Sequence, residues 1–145
     1  MFVADTRDLN ILLVDDDDLD VQNVKRAFKK NNIQSSLRVA SDGQEALDVL
    51  RGQGSQAPFP PHRRLVLLDL NMPRMSGIEF LRELRSDADL KTTTVVVLTT
   101  SDDNYDRIEA YKLNVAGYLI KPITLTSFID MMSALNHYWT VNELP

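Results

Sequence analysis

The sequence predicts an α/β protein with a parallel sheet that is covered by helices on both faces. Short aliphatic runs alternate along the chain with segments of helical periodicity, and five such strand–helix units follow one another. The aliphatic runs, such as residues 11–14 and 65–68, are apolar at every position, which is typical of strands buried on both faces. We therefore expect a three-layer sandwich around a central five-stranded parallel sheet.

Each element is indicated by its local pattern. Strands are expected at residues 11–14, 37–39, 65–68, 94–98 and 117–120. Helices are expected after each strand, the fourth over residues 103–113 and the fifth after Thr124 as N-cap. Their inward faces are formed by Val21, Val24 and Phe28; by Ala46, Leu47 and Leu50; by Phe80, Leu81 and Leu84; and by Leu125, Phe128, Ile129, Met132 and Leu135.

One stretch, residues 52–64, cannot hold a regular element. It contains three prolines, which lack a backbone donor, and two glycines, which raise the entropy of the unfolded chain. We expect a long surface loop there. The chain is then divided into an N-terminal lead at 1–8, one folded domain at 9–138 and a C-terminal extension at 139–145, which we call the tail.

The composition excludes several classes of function. The net charge of −5 argues against a nucleic-acid-binding protein, which normally carries a basic surface. The chain has no cysteine, so disulfides and thiolate metal sites are excluded. It has neither the apolar segment of a signal peptide nor a run of about 20 apolar residues that could cross a bilayer. We expect a cytoplasmic protein without nucleic-acid or membrane partners.

Polar residues that can carry chemistry follow four of the predicted strands. Asp15 and Asp16 follow the first strand, Asp69 the third, Thr99 the fourth and Lys121 the fifth. Ligands of open parallel sheets bind outside the carboxyl ends of the strands. These side chains are therefore expected at one rim of the sheet.

Carboxylates that converge at a rim repel one another, and a cation offsets the repulsion. Oxygen ligands together with a phosphate suit Mg²⁺. We expect Mg²⁺ to bridge Asp16 and Asp69, Asp15 to hold a metal-bound water, and the backbone carbonyl of Asn71 to complete the ligand set.

An ionised aspartate at this place can act as a nucleophile and form an aspartyl phosphate without a general base. Asp69 is the expected acceptor. The charge of the transferred phosphoryl group must be neutralised and its geometry fixed. The Lys121 ammonium and the Thr99 hydroxyl are expected to contact its oxygens.

Four motifs in this order resemble the receiver domain of two-component response regulators. They are Asp15-Asp16 after an aliphatic run, the Asp-Leu-Asn-Met-Pro-Arg-Met-Ser-Gly segment at 69–77, Leu-Thr-Thr around Thr99, and Tyr-Leu-Ile-Lys-Pro ending at Pro122. The steps of 30 residues from Asp69 to Thr99 and 22 from Thr99 to Lys121 also fit the family pattern. The resemblance covers residues 9–138.

The resemblance implies a flavodoxin-like (βα)5 fold and a signalling function rather than substrate turnover. It implies that a histidine kinase donates the phosphoryl group, that Tyr118 is the switch aromatic, and that Gly77 and Pro122 have structural roles. It also implies a cis peptide bond between Lys121 and Pro122 that aims the lysine inward. The loop at 52–64 and the C-terminal segment 136–145 further resemble the stand-alone response regulators that partner bacterial and cyanobacterial phytochromes.

The acidic run at 15–20 also has two other interpretations. Acidic residues often stand solvated at a helix start, where they favour the positive end of the helix dipole. We assign that role to Asp17, Asp18 and Asp20. A calcium-binding EF-hand loop counted from Asp16 would need Gly and Glu where Val21 and Ala27 stand, so it is excluded.

Two other functions compete with the phosphoacceptor. A haloacid-dehalogenase-type phosphatase also uses Mg²⁺ and an aspartate after a strand, but it needs a second aspartate where Asn71 stands. The pair Asp15 and Asp17 has that spacing but lacks the Gly-Thr that follows it in that family. A degenerate receiver that only binds a partner is disfavoured because no phosphorylation residue is missing.

The apolar character of the last helix continues with Tyr138 and, in the tail, with Trp139, Val141 and Leu144. Clustered exposed aromatic residues mark interaction surfaces. We expect a homodimer through the last strand, the last helix and the tail. The alternative is a tail that folds back over its own domain.

Overall fold

The computed structural model describes residues 8–54 and 57–145, and its helices and strands alternate as expected. The elements are β1 (Asn10–Val14), α1 (Asp18–Lys30), β2 (Ser36–Ala40), α2 (Gly43–Arg51), β3 (Arg64–Leu68), α3 (Gly77–Ser86), β4 (Thr94–Thr99), α4 (Asn104–Lys112), β5 (Gly117–Ile120) and α5 (Leu125–Thr140). The predicted lead at 1–8 lies, except for Asp8, outside the described residues.

The five strands form one parallel sheet in the order β2-β1-β3-β4-β5. This is the flavodoxin-like order, in which strand order reverses between β1 and β3. The predicted fold class is confirmed.

Alternate residues of each strand pack on opposite faces of the sheet, as the pleat requires. Leu12, Val14, Val66 and Leu68 belong to a core layer that is closed by helices α2, α3 and α4. Ile11, Leu13, Leu65 and Leu67 belong to the other layer, together with buried residues of α1 and α5. The position of a residue in this alternation therefore determines which of the two core layers its side chain joins.

A polar residue immediately before each helix caps its free amide groups. The side chains of Asp17, Asp42, Ser76, Asp103 and Thr124 accept hydrogen bonds from backbone amides of the first turn of α1 to α5 respectively. Thr124 is the N-cap that the sequence predicts. These caps fix where each helix begins relative to the preceding strand end.

The described part of the 52–64 stretch has no helix or strand before Arg64, as predicted, but it is not a bare surface loop. Phe59 is only 5% exposed. The guanidinium groups of Arg38 and Arg64 lie 5.2 and 5.3 Å from its ring centroid. Because one aromatic ring binds two cations, the loop is held against β2 and β3.

Helix α5 packs against the sheet and α1 through Phe128 and Met132, which are buried as predicted. Leu125, which we placed on the same inward face, is 41% exposed. That placement was wrong: Leu125 is the first residue of the helix and lines an open groove with Ile129 and the last turns of α1.

The tail is partly folded back. Trp139 and Leu144 pack against the core layer under α1 and α5. The Arg63 guanidinium donates hydrogen bonds to the carbonyl oxygens of Asn142 and Thr140, at 2.9 and 3.4 Å, and the Arg63 amide donates to Pro145 at 2.7 Å. The Tyr138 ring packs edge-to-face on Trp139, with 5.0 Å between the ring centroids, and Tyr138 is 59% exposed.

Gly77, for which the resemblance implies a structural role, lies close to the backbone of the residues that follow β3. A Cβ atom at this position would lie 2.6 Å from the Leu70 Cα and 2.7 Å from the Asp69 carbonyl oxygen. Glycine therefore allows α3 to start directly against the backbone of the residue expected to accept the phosphoryl group. Within the described ranges, no helix is long and apolar enough to span a bilayer.

Candidate functional site

The rim of the sheet is built by residues that continue the strands by one backbone step. The Asp15 amide donates to the Ala40 carbonyl, Asp69 to Val14, and Lys121 to Thr99, at 3.0, 2.9 and 2.8 Å. These bonds prolong the parallel ladders, so the backbones of the site residues are as rigid as the sheet itself.

Strand parity explains which side of the rim the side chains occupy. Asp15 follows Ile11 and Leu13 at steps of two, and Asp69 follows Leu65 and Leu67. All four preceding residues face α1 and α5. The two carboxylates are therefore directed to the face that α1 covers.

The Lys121 ammonium lies between three carboxylates. Its Nζ is 2.7 Å from Asp20 Oδ2, 2.8 Å from Asp15 Oδ2 and 3.2 Å from Asp69 Oδ2. Carboxylate oxygens of these aspartates lie within 4.8 Å of one another, and we call the three residues the carboxylate cluster. Three negative charges around one positive charge leave a site that attracts a further cation.

Burial and pairing shift the pKa values of two of these groups. Burial raises the pKa of Asp15, and its hydrogen bonds from Lys121 and from the Asp17 amide only partly oppose this. Burial alone would lower the pKa of Lys121, but the bonds to Asp15 and Asp20 and the charge of Asp69 outweigh it. The lysine pKa therefore lies well above its ordinary value, and the side chain is a fixed cation.

The second oxygen of Asp69 is held by neutral donors. The Thr99 hydroxyl donates to Asp69 Oδ1 at 2.8 Å, and the Asn71 amide donates to the same atom at 3.2 Å. The Asp69 carboxylate is thus oriented by separate partners on its two oxygens.

A short chain of contacts joins Thr99 to Tyr118. The Ser101 amide donates to Thr99 Oγ1 at 3.3 Å, and the Tyr118 hydroxyl donates to the Ser101 carbonyl at 2.9 Å. The Arg107 guanidinium lies 5.6 Å from the centroid of the Tyr118 ring. The loop between β4 and α4 therefore connects the rim of the sheet to the half-buried side chain of Tyr118.

The structure brings together Asp15, Asp69, Thr99 and Lys121 as the sequence predicts. Asp16 is exposed, and its carboxylate is not part of the carboxylate cluster. No peptide bond among the described residues is cis, so the implied cis bond before Pro122 was wrong. Lys121 points inward without it because the three carboxylates bind its ammonium.

Sequence reasoning missed Asp20. It does lie in the first turn of α1, as expected of a helix-start acid, but its side chain binds Lys121 instead of standing free in solvent. The available signal was strand parity, since Asp15 and Asp69 face the side of the sheet on which α1 lies.

The fold and this rim together define the class of signalling receiver domains. The family model of the response regulator receiver domain matches residues 11–133, and the chain belongs to that family.

Relatives and solved structures agree with this assignment. The chain is 38% identical over 129 residues to the response regulator Rcp1 of Synechocystis sp., covering 89% of this chain and 87% of that protein. The phosphorylated cyanobacterial phytochrome response regulator RcpA superposes with a TM-score of 0.85 at 32% identity, covering 96% of this chain and 99% of the other. The Mn²⁺-bound form of Rcp1 superposes with a TM-score of 0.81 at 38% identity, covering 93% and 97%.

Removing the charge of Lys121 is expected to destabilise the protein at neutral pH. Lys121→Met keeps the bulk of the side chain but leaves buried Asp15 and Asp69 without their cation, which costs about 3–5 kcal/mol in the free energy of unfolding. Because the pKa of Lys121 is raised, the wild-type contribution is fully present below the ordinary value of 10.5. Urea unfolding measures the difference.

The loss in the free energy of unfolding of Lys121→Met is expected to become smaller as pH falls. The pKa of Asp15 is raised in the folded protein, so protonation of this group favours folding as pH falls through that pKa, and without Lys121 the pKa rises further. Lys112→Met is the control: that lysine pairs with Glu109 at the surface, and its loss should change stability by less than about 0.5 kcal/mol. Equal effects of the two variants at neutral pH would contradict the role of Lys121.

Proposed function

We propose that this chain is a phosphoacceptor response regulator that takes a phosphoryl group from a sensor histidine kinase onto Asp69. One observation carries the proposal: Thr99 and Lys121 donate to different oxygens of the Asp69 carboxylate, at 2.8 and 3.2 Å. The same two donors can bind the oxygens of a phosphoryl group attached there.

The transfer balances without a general base. A carboxylate oxygen of Asp69 forms a bond to phosphorus, the bond from phosphorus to the imidazole nitrogen of the kinase histidine breaks, and its electron pair stays on that nitrogen. Lys121 and Thr99 offset the negative charge on the phosphoryl oxygens. Self-catalysed transfer and later hydrolysis would be the whole chemistry of the chain.

We assign Mg²⁺ to Asp15, Asp16, Asp69 and the backbone carbonyl of Asn71. Asp15 and Asp69 belong to the carboxylate cluster, whose oxygen donors and excess negative charge fit a hard divalent cation, and exposed Asp16 directly follows Asp15. The Mn²⁺-bound form of the relative Rcp1 supports a divalent metal in this family. When bound, Mg²⁺ supplies charge neutralisation for the transferred group.

The identity of the kinase is inferred from the relatives. The similarity to RcpA, a cyanobacterial phytochrome response regulator, supports a phytochrome-type sensor as the phosphoryl donor. The net charge of −5 favours a protein as the output partner over nucleic acid, and we place the signalling reaction in the cytoplasm.

Phosphorylation is tested with acetyl phosphate and Mg²⁺. The wild-type chain should gain the mass of one phosphoryl group, and Asp69→Asn should gain none because the nucleophilic carboxylate is absent. Asp130→Asn is the matched control, since Asp130 is exposed on α5 and does not belong to the carboxylate cluster. Mass spectrometry that places the label on Asp15, Asp16 or a hydroxyl residue would overturn the assignment.

We also propose that Thr99 and Tyr118 form the switch. A phosphoryl group on Asp69 would draw the Thr99 hydroxyl toward it and away from the Ser101 amide. Since Ser101 also accepts the Tyr118 hydroxyl, the loop between β4 and α4 would shift and the aromatic ring would move inward.

Addition of beryllofluoride with Mg²⁺, which mimics the phosphoryl group, tests this switch. The amide resonance of Ser101 and the ring resonances of Tyr118 should shift in nuclear magnetic resonance spectra. Leu37 on the edge strand β2 serves as a distant reference that should not shift. The switch is excluded if Asp69 and its neighbours respond while Tyr118 does not.

We finally propose a homodimer through β5, α5 and the tail. Tyr138 and Val141 are 59% and 60% exposed, and both line a shallow groove on the outer face of α5 with Ala134. Ile120 of β5 is also exposed. Within the described chain these apolar groups have no covering element, and a second copy would cover them.

The structure allows a sharper test than removal of the tail, which would also remove Trp139 from the core. Tyr138→Ser combined with Val141→Ser changes two side chains that are more than half exposed, leaves Trp139 in the core, and should convert a dimer into a monomer in sedimentation experiments. Tyr105→Ser, at an exposed aromatic residue of α4 outside the proposed interface, should leave the dimer intact. A monomeric wild-type chain would end the proposal.

A further inference from the structure

We propose that Asp20 is the contact that Lys121 releases when Asp69 is phosphorylated, so that Asp20 opposes phosphorylation and couples it to helix α1. The inference rests on the proposed function of Asp69. It assigns Asp20 a role as a positioning residue that acts on the site through Lys121.

Lys121 has as many hydrogen-bond donors as it has carboxylate partners. A lysine ammonium has three N–H groups, and in this structure three carboxylates, those of Asp15, Asp20 and Asp69, lie within 3.2 Å of Nζ. The donors are therefore fully used. One phosphoryl oxygen can take over the donor that binds Asp69, but a second phosphoryl oxygen can bind Lys121 only if Asp15 or Asp20 is released.

Of the other two carboxylates, Asp20 is the easier one to release. Asp15 is almost fully buried, and its other oxygen is already held by the Asp17 amide at 3.0 Å. The Asp20 side chain is 28% exposed, so water can replace Lys121 there at the lowest cost.

The negative charge of Asp20 also opposes phosphorylation. Asp20 places a negative charge next to the ammonium that must neutralise the phosphoryl oxygens. Its bond to Lys121, at 2.7 Å, is the shortest of the three. The carboxylate therefore competes directly with the phosphoryl group for the same donor.

Release of Asp20 changes the surface of α1 without unwinding the helix. The side chain of Asp17 caps the first turn and accepts from the amides of Leu19 and Asp20. These bonds do not involve Lys121. Phosphorylation would thus free a charged side chain at the start of α1 while the helix stays in place.

The experiment is a beryllofluoride titration at saturating Mg²⁺, followed by nuclear magnetic resonance. Asp20→Asn should bind beryllofluoride about fivefold more tightly than the wild-type chain, the size expected from removing one partly screened charge. Asp18→Asn is the matched control. It makes the same change in charge at an exposed position of the same helical turn, and its affinity should equal that of the wild type.

A second measurement separates this role from that of a metal ligand. Calorimetric titration with Mg²⁺ alone should give affinities of Asp20→Asn and the wild type that agree within about threefold, whereas loss of a direct ligand costs about tenfold or more. A loss of that size would overturn the inference, as would unchanged or weaker beryllofluoride binding by Asp20→Asn.

Two further controls make the outcome decisive. Asp20→Ser also lacks the charge, and both variants should show the thermal unfolding transition of a folded protein. If the wild-type chain itself does not bind beryllofluoride with Mg²⁺, the proposed function fails. If the wild type binds and both variants bind no more tightly, only the role of Asp20 fails.

Discussion

The ion cluster around Lys121 forms where the ends of β1, β3 and β5 meet. The Lys121 side chain is 6% exposed, and buried charges are tolerated only when each has a partner at bonding distance. Asp15 follows β1, Asp69 follows β3, and Lys121 follows β5, so all three strands must end in register for the charges to meet. A slip of one residue in any strand would turn its site residue to the opposite face and leave a buried charge unpaired.

The sequence was sufficient for the fold and for most of the site. Buried parallel strands are uniformly apolar, and the chain places its polar residues immediately after them, so the rim followed from strand order alone. Asp15, Asp69, Thr99 and Lys121 meet there for this reason. The helix starts were equally readable where a capping side chain precedes an apolar periodicity, as at Thr124.

The features that escaped prediction depend on three-dimensional neighbours. Asp20 looks like any solvated acid at a helix start until the position of α1 over the ends of β1 and β3 is known. Phe59 lies in a segment without periodicity, and its burial requires Arg38 from a different strand. Leu125 fits the apolar stripe of α5, yet it lines an open groove between α5 and α1 and stays partly exposed. Local patterns indicate which residues can be buried, whereas packing decides which of them are.

The position of the tail depends little on the identity of many of its side chains. The hydrogen bonds from Arg63 end on carbonyl oxygens of Thr140, Asn142 and Pro145, groups that every amino acid provides. A flat guanidinium with several donors can bind more than one of them, which a lysine could not reproduce. Because Trp139 and Leu144 pack against the core, the outward-facing side chains of the tail can change without weakening its contact with the domain. Related chains could therefore diversify the outer surface of the tail, and with it their choice of partner, on an unchanged support.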